Sequence, residues 1–340
     1  MIYIIILVLL YLFCLYLHIK NRKLQGVFYV IPIIMILVAG FRDGTFFPDY
    51  DNYKRAFLFP RENMEHSFIL VRDFVKWMGG SYIYLFLIYS IISISLKVYA
   101  IKRISLFVWL SMATYIATSY LLHDMIQIRA SVAIGFILCS IYFLLKKKYI
   151  LWIIFSICAV YFHYSAVIVF ILPLLNIIRF DRYKWILLLT LSFIVSSFSI
   201  NIINLISYIN YEPIQQLFFH HMSNMEDNGK WDTINIFNTL HLIRCFIAVY
   251  FAYNYIIISK YSYADIMLKM YFVGLISIGM LSALPVMAFR ISEMFCVVEI
   301  FVLSFFFVVI KKRSIAWLCY IFSTCSIVYI QIFYNKYIIL

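Results

Sequence analysis

The amino-acid sequence predicts an all-α integral membrane protein that crosses the bilayer many times. Three observations support this fold class: 66% of the 340 residues are hydrophobic, only 13% are charged, and the mean hydropathy is +0.97. An ordinary soluble domain is about 45–50% apolar and about 25% charged. The chain therefore has more apolar surface than a water-soluble globule can bury. We predict a single polytopic membrane domain, a helix bundle that spans residues 1–340.

Twelve apolar windows are long enough to form transmembrane or half-membrane helices. A helix needs about 20 apolar residues to cross about 30 Å of hydrocarbon, because it rises about 1.5 Å per residue. In chain order the windows are residues 2–17, 27–39, 82–100, 104–122, 126–145, 149–162, 166–178, 185–206, 234–258, 266–285, 291–310 and 315–333. The first window lacks the basic flank and the cleavage site of a secretory signal, so we expect a retained helix.

The basic residues predict the orientation of the helices. Cytoplasmic connections of membrane proteins carry an excess of Lys and Arg. Here the basic residues of alternate connections are Lys20, Arg22, Lys23, Lys102, Arg103, Lys146, Lys147, Lys148, Arg179, Arg182, Lys184, Lys260, Lys311, Lys312 and Arg313. Only two acidic residues, Asp181 and Asp265, fall near those connections. We therefore expect both termini outside, and the net charge of +13 is explained without nucleic acid as a partner.

Two long outer loops are predicted, at residues 41–81 and 207–233. The first mixes aromatic residues with acidic and basic ones, a composition that suits sugar binding, because rings stack on apolar sugar faces and carboxylates accept hydroxyl protons. Within it, residues 68–78 have apolar side chains at helical spacing, which predicts an amphipathic helix along the periplasmic membrane surface. This helix either closes the bundle or acts as a lid over substrate.

A polar segment interrupts the apolar windows near residue 125. His123, Asp124, Gln127 and Arg129 lie at the outer end of two predicted spans. Ionisable groups at such positions cost several kcal/mol unless they are paired or hydrated, so they often mark an aqueous cavity. His123 and Gln127 share a face if the segment is one helix. The structural alternative is an ion pair between Arg129 and Asp124.

Two further polar positions lie on the predicted outer side. His163 separates two short apolar windows, and a helix broken within the membrane is tolerated where it lines a cavity or packs in protein. His163 is thus either a cavity residue or a satisfied core histidine. Pro285 is expected to end one span and Arg290 to begin the next. Arg290 either offers its planar guanidinium to a phosphate or pairs with Glu293 three residues on.

Cofactor and metal motifs are missing from the sequence. No Walker, dinucleotide-binding or zinc pattern occurs, so we expect neither a cofactor nor a metal site. The seven cysteines lie in apolar runs without C-x-x-C spacing and are expected to be small buried side chains. His220 and His221 have no ligand-spaced partner and are interpreted as loop histidines.

Four motifs in order resemble the EpsG family of bacterial polysaccharide polymerases, relatives of the Wzy O-antigen polymerases. They comprise Arg42 with Asp49, Tyr50 and Tyr53; Glu65; Gln127, Arg129 and Ala133 followed by His163 and Ser165; and Arg290. The resemblance covers nearly the whole chain. It implies a glycosyltransferase of the bacterial inner (cytoplasmic) membrane that joins undecaprenyl-diphosphate-linked oligosaccharide repeat units of O-antigen, capsule or exopolysaccharide at the periplasmic face. A chain-length regulator is a candidate partner.

The resemblance also implies roles for the polar residues. In the implied reaction a sugar hydroxyl attacks the anomeric carbon of the growing chain, and undecaprenyl diphosphate leaves. Arg42, Arg129 and Arg290 are predicted to bind the diphosphate, because donors aimed at developing charge stabilise the transition state. His163 is the first candidate for the general base, and Asp49 or Glu65 is the second. The predicted substrate-binding residues are Tyr50, Tyr53, His123, Asp124, Gln127 and Glu293.

Two other functions remain open at this point. Asp49, Tyr50 and Asp51 form a D-x-D triplet, which is typical of membrane glycosyltransferases that use a polyprenyl-phosphate sugar. A lipid-linked oligosaccharide flippase or other transporter is the alternative from another class, since twelve spans with charge suit transport. A transporter should carry functional charge near the bilayer midplane and consist of two related halves. Here the charges cluster at one rim.

Overall fold

The computed structural model describes residues 2–20, 25–59, 64–197, 234–282 and 284–334. Every regular element within these ranges is helical, which confirms the predicted all-α class. The second predicted outer loop, with His220 and His221, lies outside the described residues. The described helices belong to two compact units, Met1–Ile178 with Ile256–Met267 and Val297–Leu340, and Arg179–Tyr255 with Leu268–Cys296. A single domain over residues 1–340 stays a prediction.

The first unit contains most of the described helices. Its α-helices up to residue 178 are α1 (Ile2–Ile19), α2 (Gln25–Gly40), α3 (Tyr50–Leu58), α4 (His66–Trp77), α5 (Tyr82–Ile104), α6 (Val108–Thr114), α7 (Ile128–Leu145), α8 (Tyr149–Phe162) and α9 (Leu172–Ile177). A π-helix, Tyr115–Asp124, follows α6 directly, and 3-10 helices cover Gly44–Phe46 and Tyr164–Ile171. The predicted span 104–122 is therefore not one regular α-helix, because it widens at Tyr115.

The remaining helices alternate between the two units. The second unit contains α10 (Arg182–Ser197), α11 (Thr239–Tyr253), α13 (Ala264–Met280) for the most part, and α14 (Pro285–Cys296). The first unit also contains α12 (Tyr255–Ile258) for the most part, α15 (Glu299–Val302), α16 (Phe306–Val309) and α17 (Arg313–Tyr329), with a 3-10 helix at Leu303–Phe305 and a π-helix at Ile330–Tyr334. Within the second unit, stacked rings of Phe180, Trp185 and Tyr255 join the start of α10 to the first residue of α12.

Helix α7 forms the core of the first unit. Its most apolar window is 78% buried, compared with 22% for α1, because α5 and α8 both pack against it. Gly135 allows α5 to come close, since a Cβ at this position would lie 2.8 Å from the Cβ of Leu96. The packing of α5 and α8 against α7 thus fixes the position of its N-terminal turn, which contains Arg129.

The two ends of the first unit differ in charge. At one end, the Tyr3 hydroxyl accepts a hydrogen bond from the Asp43 amide, and the ring of Tyr50 contacts that of Tyr82. At the other end, His18 packs on Phe107 and Trp317, close to the basic residues Lys102, Arg103 and Arg313. The loop at Arg103 also shares a surface pocket with Tyr261. The structure therefore gathers several of the predicted cytoplasmic connections at the end opposite the first outer loop.

Some described helices can span a membrane by length and composition. Four qualify, namely α1, α5, α7 and Arg313–Tyr334, and a fifth is added when one bent helix pair is counted as a single span. Shorter apolar helices occur at Phe28–Gly40, Tyr149–Phe162, Tyr164–Ile177 and Thr239–Tyr253. A multi-pass helical membrane protein is thus supported, and the number of twelve spans stays a prediction.

The seven cysteines are all unpaired, as the sequence predicted. Cys14, Cys139, Cys245 and Cys296 are buried. Cys158 and Cys319 are half-buried and Cys325 is exposed, so the prediction that all seven are buried holds for four cysteines and is wrong for Cys325. Cys325 lies on α17, which together with the following π-helix is long and apolar enough to span a membrane. The exposed surface of Cys325 therefore suits contact with lipid as well as with protein.

Candidate active site

The centre of the candidate site is Glu65, which lies immediately before helix α4. A carboxylate at this position commonly caps the backbone N–H groups of the first turn. The side chain of Glu65 makes no such capping bond. Its two oxygens instead contact Arg129 and His163, which come from the starts of α7 and of the Tyr164–Ile171 helix.

His163 contacts Glu65 through its Nδ1 atom. Nδ1 lies 3.0 Å from Oε1 of Glu65, and the His163 side chain is 12% exposed. The backbone of His163 is extended between α8 and the next helix, which confirms the predicted break and turns the ring away from the helix axis. The neighbouring pair, His66 Nδ1 and the Tyr164 hydroxyl, lies 3.4 Å apart and holds the same two segments together.

Arg129 donates a hydrogen bond from Nη1 to Oε2 of Glu65. Its guanidinium carbon lies 5.6 Å from the centre of the Tyr53 ring, a cation–π distance. The Arg129 side chain is 25% exposed, and its buried Nε finds no hydrogen-bond partner in the part of the chain that the structure describes. Arg129 therefore has donor capacity left for an anion.

The two partners of Glu65 keep its carboxyl group ionised. Burial alone would raise the pKa of Glu65, but the hydrogen bond with His163 and the charge of Arg129 outweigh it, so that the pKa lies below its ordinary value. The position before α4 acts in the same direction, because the N-terminus of a helix favours a negative charge. At neutral pH the site thus contains the Glu65 carboxylate in direct contact with the Arg129 guanidinium and the His163 ring.

The second arginine near this cluster is Arg42, which lies in the first outer loop and is buried. It is 3% exposed, its guanidinium carbon lies 4.1 Å from the centre of the Phe86 ring, and Nη1 donates to the Ala39 carbonyl. Burial lowers the pKa of Arg42 to about 10, which still leaves it charged at neutral pH. Nε and Nη2 have no partner among the described residues. Buried polar groups without partners are uncommon in native proteins and suit a ligand that supplies acceptors.

Aromatic rings connect the two arginines. The Tyr50 ring stacks on Phe86 at 4.8 Å and lies 5.8 Å from Arg42, while Tyr53 contacts Phe86 at 6.3 Å and lies under Arg129. Tyr50 reaches this place because Gly44 leaves room for it, since a Cβ at Gly44 would lie 2.1 Å from the Tyr50 ring. Burial raises the pKa of Tyr50 to about 12 and also raises that of Tyr53, so both phenols are neutral.

Helix α4 packs one face on the same rings. Phe68, Val71 and Val75 are buried in this aromatic cluster, whereas Phe74 and Trp77 are exposed. The structure confirms the predicted helix, although Phe74 and Met78 lie outside the buried face to which the spacing assigned them. The outward apolar residues fit a helix that contacts the membrane surface.

The other predicted site residues of the first unit differ in accessibility. Asp49 is half-buried at the start of α3 and accepts a long 3.4 Å hydrogen bond from Asn52. His123 is buried at the end of the π-helix. Gln127 precedes α7, and its buried Oε1 has no partner within the described ranges. The premise that His123 and Gln127 lie on one helix is wrong, because the π-helix ends at Asp124 and α7 begins at Ile128.

Asp124 forms an ion pair that the sequence did not predict. Its partner is Lys97 of α5 at 2.8 Å, and neither side chain is exposed to solvent. The alternative that Arg129 pairs with Asp124 is therefore wrong, since Arg129 pairs with Glu65. A lysine inside the apolar run 82–100 was the available signal for this pair, because a buried charge requires a partner. Substrate binding by Asp124 stays a prediction.

Arg290 and Glu293 lie in the second unit, on helix α14. The expectation that Pro285 ends a span and Arg290 begins the next is wrong, since Pro285 is the first residue of α14 and Arg290 lies near its middle. Proline suits a first helical position because its missing N–H would have no helical partner there. The Arg290 side chain is exposed and Glu293 is half-buried. Their predicted roles toward substrate stay predictions.

The described residues contain no group of three or more His, Cys, Asp or Glu side chains placed to hold a metal ion. The acidic residues of the candidate site are instead held by nitrogen donors, as the Glu65 contacts illustrate.

Comparison with known proteins identifies a family. The model of the EpsG family matches residues 27–339, a range that includes every predicted site residue. No curated protein matches the chain, and no solved structure matches it.

Proposed function

This chain belongs to the EpsG family, and we propose that it is a glycosyltransferase that joins undecaprenyl-diphosphate-linked oligosaccharide repeat units into a polysaccharide. Membership of the family supports a membrane protein of polysaccharide biosynthesis related to the Wzy polymerases. The identity of the donor and the reaction are our proposal. We also propose that the protein acts in the bacterial inner membrane with its site at the periplasmic face.

The single observation that carries the proposal is the contact of Glu65 with both His163 and Arg129. Arg129 is 64 positions and His163 is 98 positions from Glu65 in the chain, so only the fold brings them together. The cluster combines a group that can accept a proton with a cation that can bind a phosphate. Sugar transfer from a lipid diphosphate requires both.

His163 acts as the general base in this proposal. When its Nδ1–H donates to the Glu65 carboxylate, Nε2 is left with the lone pair that accepts a proton. The hydroxyl oxygen of the acceptor sugar forms a bond to the anomeric carbon, and its proton passes to Nε2. A positioned base of this kind contributes about 10² to 10⁴ in rate. Glu65 is a positioning residue that fixes the imidazole tautomer.

The arginines act on the leaving group. As the bond from the anomeric carbon to the diphosphate breaks, the diphosphate takes the electron pair and gains charge. Arg129 and Arg42 have unpartnered nitrogen donors for this charge, and the rings beneath them restrict their movement. One well-placed donor to a developing charge is worth about 2.7–4 kcal/mol. Arg290 is proposed to bind the diphosphate as well.

The distribution of polysaccharide chain lengths tests the proposal. In a strain from which the gene is deleted, we expect surface lipid carrying a single repeat unit, and the wild-type gene should restore the ladder of lengths. Arg129→Ala and Arg290→Ala should not restore the ladder, although both variants remain in the membrane. A ladder in the deletion strain would contradict polymerisation, provided that no second polymerase is encoded.

A matched control separates the cluster from its surroundings. Arg55 lies on α3 in the first outer loop, is exposed, and donates hydrogen bonds to the Asp51 carbonyl and the Asn52 side chain. Replacing a surface side chain of this kind usually changes stability by less than about 0.5 kcal/mol. Arg55→Ala should therefore restore the ladder fully. Equal failure of Arg55→Ala and Arg129→Ala would show that this part of the protein tolerates no change, and the proposed role of Arg129 would lose its support.

Transport is the second candidate, and the buried pair of Lys97 and Asp124 favours it. Charged side chains buried between helices occur in transporters, where they mark the pathway of an ion or substrate. The two functions predict different products of gene deletion. Loss of a flippase leaves surface lipid without any repeat unit, whereas loss of a polymerase leaves one unit.

A further inference from the structure

We propose that a groove between α2 and α5, at the end of the first unit opposite the candidate site, binds one anionic glycerophospholipid. The groove has a volume of about 470 Å³, within the range of about 300–1,000 Å³ that is usual for ligand pockets. Apolar side chains of α2 and α5 line most of it, and Lys102 and Arg103 belong to its lining. This inference is independent of the proposed polymerase activity.

The groove is divided into an apolar part and a basic end. Its apolar part follows the length of α2 from Phe28 to Ile36, facing Ser95 and Val98 of α5. Lys102 and Arg103 of the last turn of α5 close one end. A lipid has the same division, because an acyl chain needs apolar walls and a phosphate needs cations. Basic pockets between membrane helices bind anionic head groups for this reason.

The cations at this end are oriented but lack acidic partners. Lys102 Nζ donates a 2.5 Å hydrogen bond to the Tyr29 hydroxyl, and the Arg103 guanidinium carbon lies 5.4 Å from the centre of the Tyr99 ring. Among the described residues, neither Lys102 nor Arg103 forms a salt bridge. Two adjacent exposed cations on ordered aromatic side chains are complementary to one phosphate group.

The groove and the candidate site lie at opposite ends of α5. Tyr82 begins α5 and contacts Tyr50 of the site, whereas Lys102 and Arg103 lie in its last turn. The helix has 23 residues, so its ends are about 33 Å apart at 1.5 Å per residue, close to the thickness of the hydrocarbon core. The basic end should therefore reach the opposite, cytoplasmic leaflet, whose anionic lipids attract Lys and Arg.

Native mass spectrometry of the full chain in detergent tests this site. Dioleoyl phosphatidylglycerol and dioleoyl phosphatidylcholine have identical acyl chains and differ in head-group charge. We expect tighter binding of phosphatidylglycerol by about 25-fold, because each of the two cations near an anionic lipid contributes roughly a fivefold factor. The double variant Lys102→Ala/Arg103→Ala should lose this preference. Equal binding of both lipids to the wild-type protein would overturn the proposal.

A matched control and a groove variant complete the test. Lys311 and Lys312 are an exposed basic pair of the first unit that does not line the groove. Lys311→Ala/Lys312→Ala should keep the preference for phosphatidylglycerol, and an equal loss in both double variants would contradict a specific site. Ser95→Trp should weaken the binding of both lipids, because the larger side chain fills the apolar part of the groove. Full displacement of phosphatidylglycerol by inorganic phosphate or by a polyprenyl phosphate would also overturn the proposal.

Discussion

The two ion pairs near the start of α7 differ in whether any of their hydrogen-bonding atoms lacks a partner. The inner pair, Lys97 with Asp124, is fully buried, and the Asp124 oxygens also accept hydrogen bonds from Ser93, Ser131 and Tyr115. Together with the bond from Lys97, these bonds use the four acceptor positions of the Asp124 carboxylate. The outer pair, Glu65 with Arg129, is partly exposed and leaves an Arg129 nitrogen unpartnered. A saturated pair stabilises the fold, whereas an unsaturated one is available to substrate.

The inner pair should have the largest effect on stability. Asp124→Ala leaves the Lys97 ammonium buried without its carboxylate, which costs about 3–5 kcal/mol. We expect strong loss of protein from the membrane fraction and a lowered melting temperature in detergent. Lys97→Met/Asp124→Leu should recover most of the protein, because replacing both charges by apolar groups is often neutral. Normal abundance and melting of Asp124→Ala would remove the distinction between the two pairs.

Arg129→Lys should affect activity rather than stability. Lysine keeps the charge beside Glu65 but loses the planar fork that binds phosphate at two points. The rate of polymerisation should fall by about 10² to 10³, the usual effect of losing one donor to a developing charge. Abundance in the membrane should remain normal. The exposed Arg55 provides the control, since Arg55→Lys should leave the activity unchanged. Wild-type activity of Arg129→Lys would mean that charge alone suffices at this position.

The lowered pKa of Glu65 predicts a pH dependence of stability. A carboxyl group whose pKa is lower in the folded state stabilises the fold above its unfolded pKa of about 4.5, and this contribution is lost as the pH falls through the folded value. The melting temperature should therefore drop below pH 4.5. Glu65→Gln should lower stability by about 1–2 kcal/mol at neutral pH and weaken this drop.

The result that contradicts this prediction is also measured by melting. An identical decrease of the melting temperature between pH 6 and pH 3 in the wild-type protein and in Glu65→Gln would show that other carboxyl groups cause it. Asp73, whose side chain is 56% exposed, provides the control. Asp73→Asn should leave the pH dependence close to that of the wild type, since the charge of an exposed carboxylate contributes little to stability.

Arg42→Lys should have the smallest of these effects. A cation over an aromatic ring contributes about 0.5–2 kcal/mol, and lysine retains part of it over Phe86. The rate of polymerisation should fall by a factor between about 2 and 30. Lys54, which lies 5.2 Å from the centre of the Tyr82 ring in the same loop, is the matched cation. Lys54→Gln should leave the rate unchanged, and an equal decrease in both variants would place Arg42 among the structural cations.

The sequence predicted local features of the site better than its pairings. The break at His163 and the helix after Glu65 follow from apolar spacing, which the chain carries locally. The contact between Glu65 and His163 depends on the packing of α4 against α8 and was not predictable from spacing. The same holds for Lys97 and Asp124, which lie on different elements. The π-helix at Tyr115 was also missed, because one extra residue per turn leaves no mark on mean hydropathy.

Release of undecaprenyl diphosphate by the purified full-length protein tests the central claim most directly. In vesicles supplied with a synthetic undecaprenyl-diphosphate-linked repeat unit, the wild-type protein should release undecaprenyl diphosphate as longer chains form. His163→Ala, reconstituted in equal amount and with an unchanged melting temperature, should release it at least about a hundredfold more slowly. Release at the wild-type rate by His163→Ala would contradict the assignment of the base and, with it, the function proposed for the Glu65 cluster.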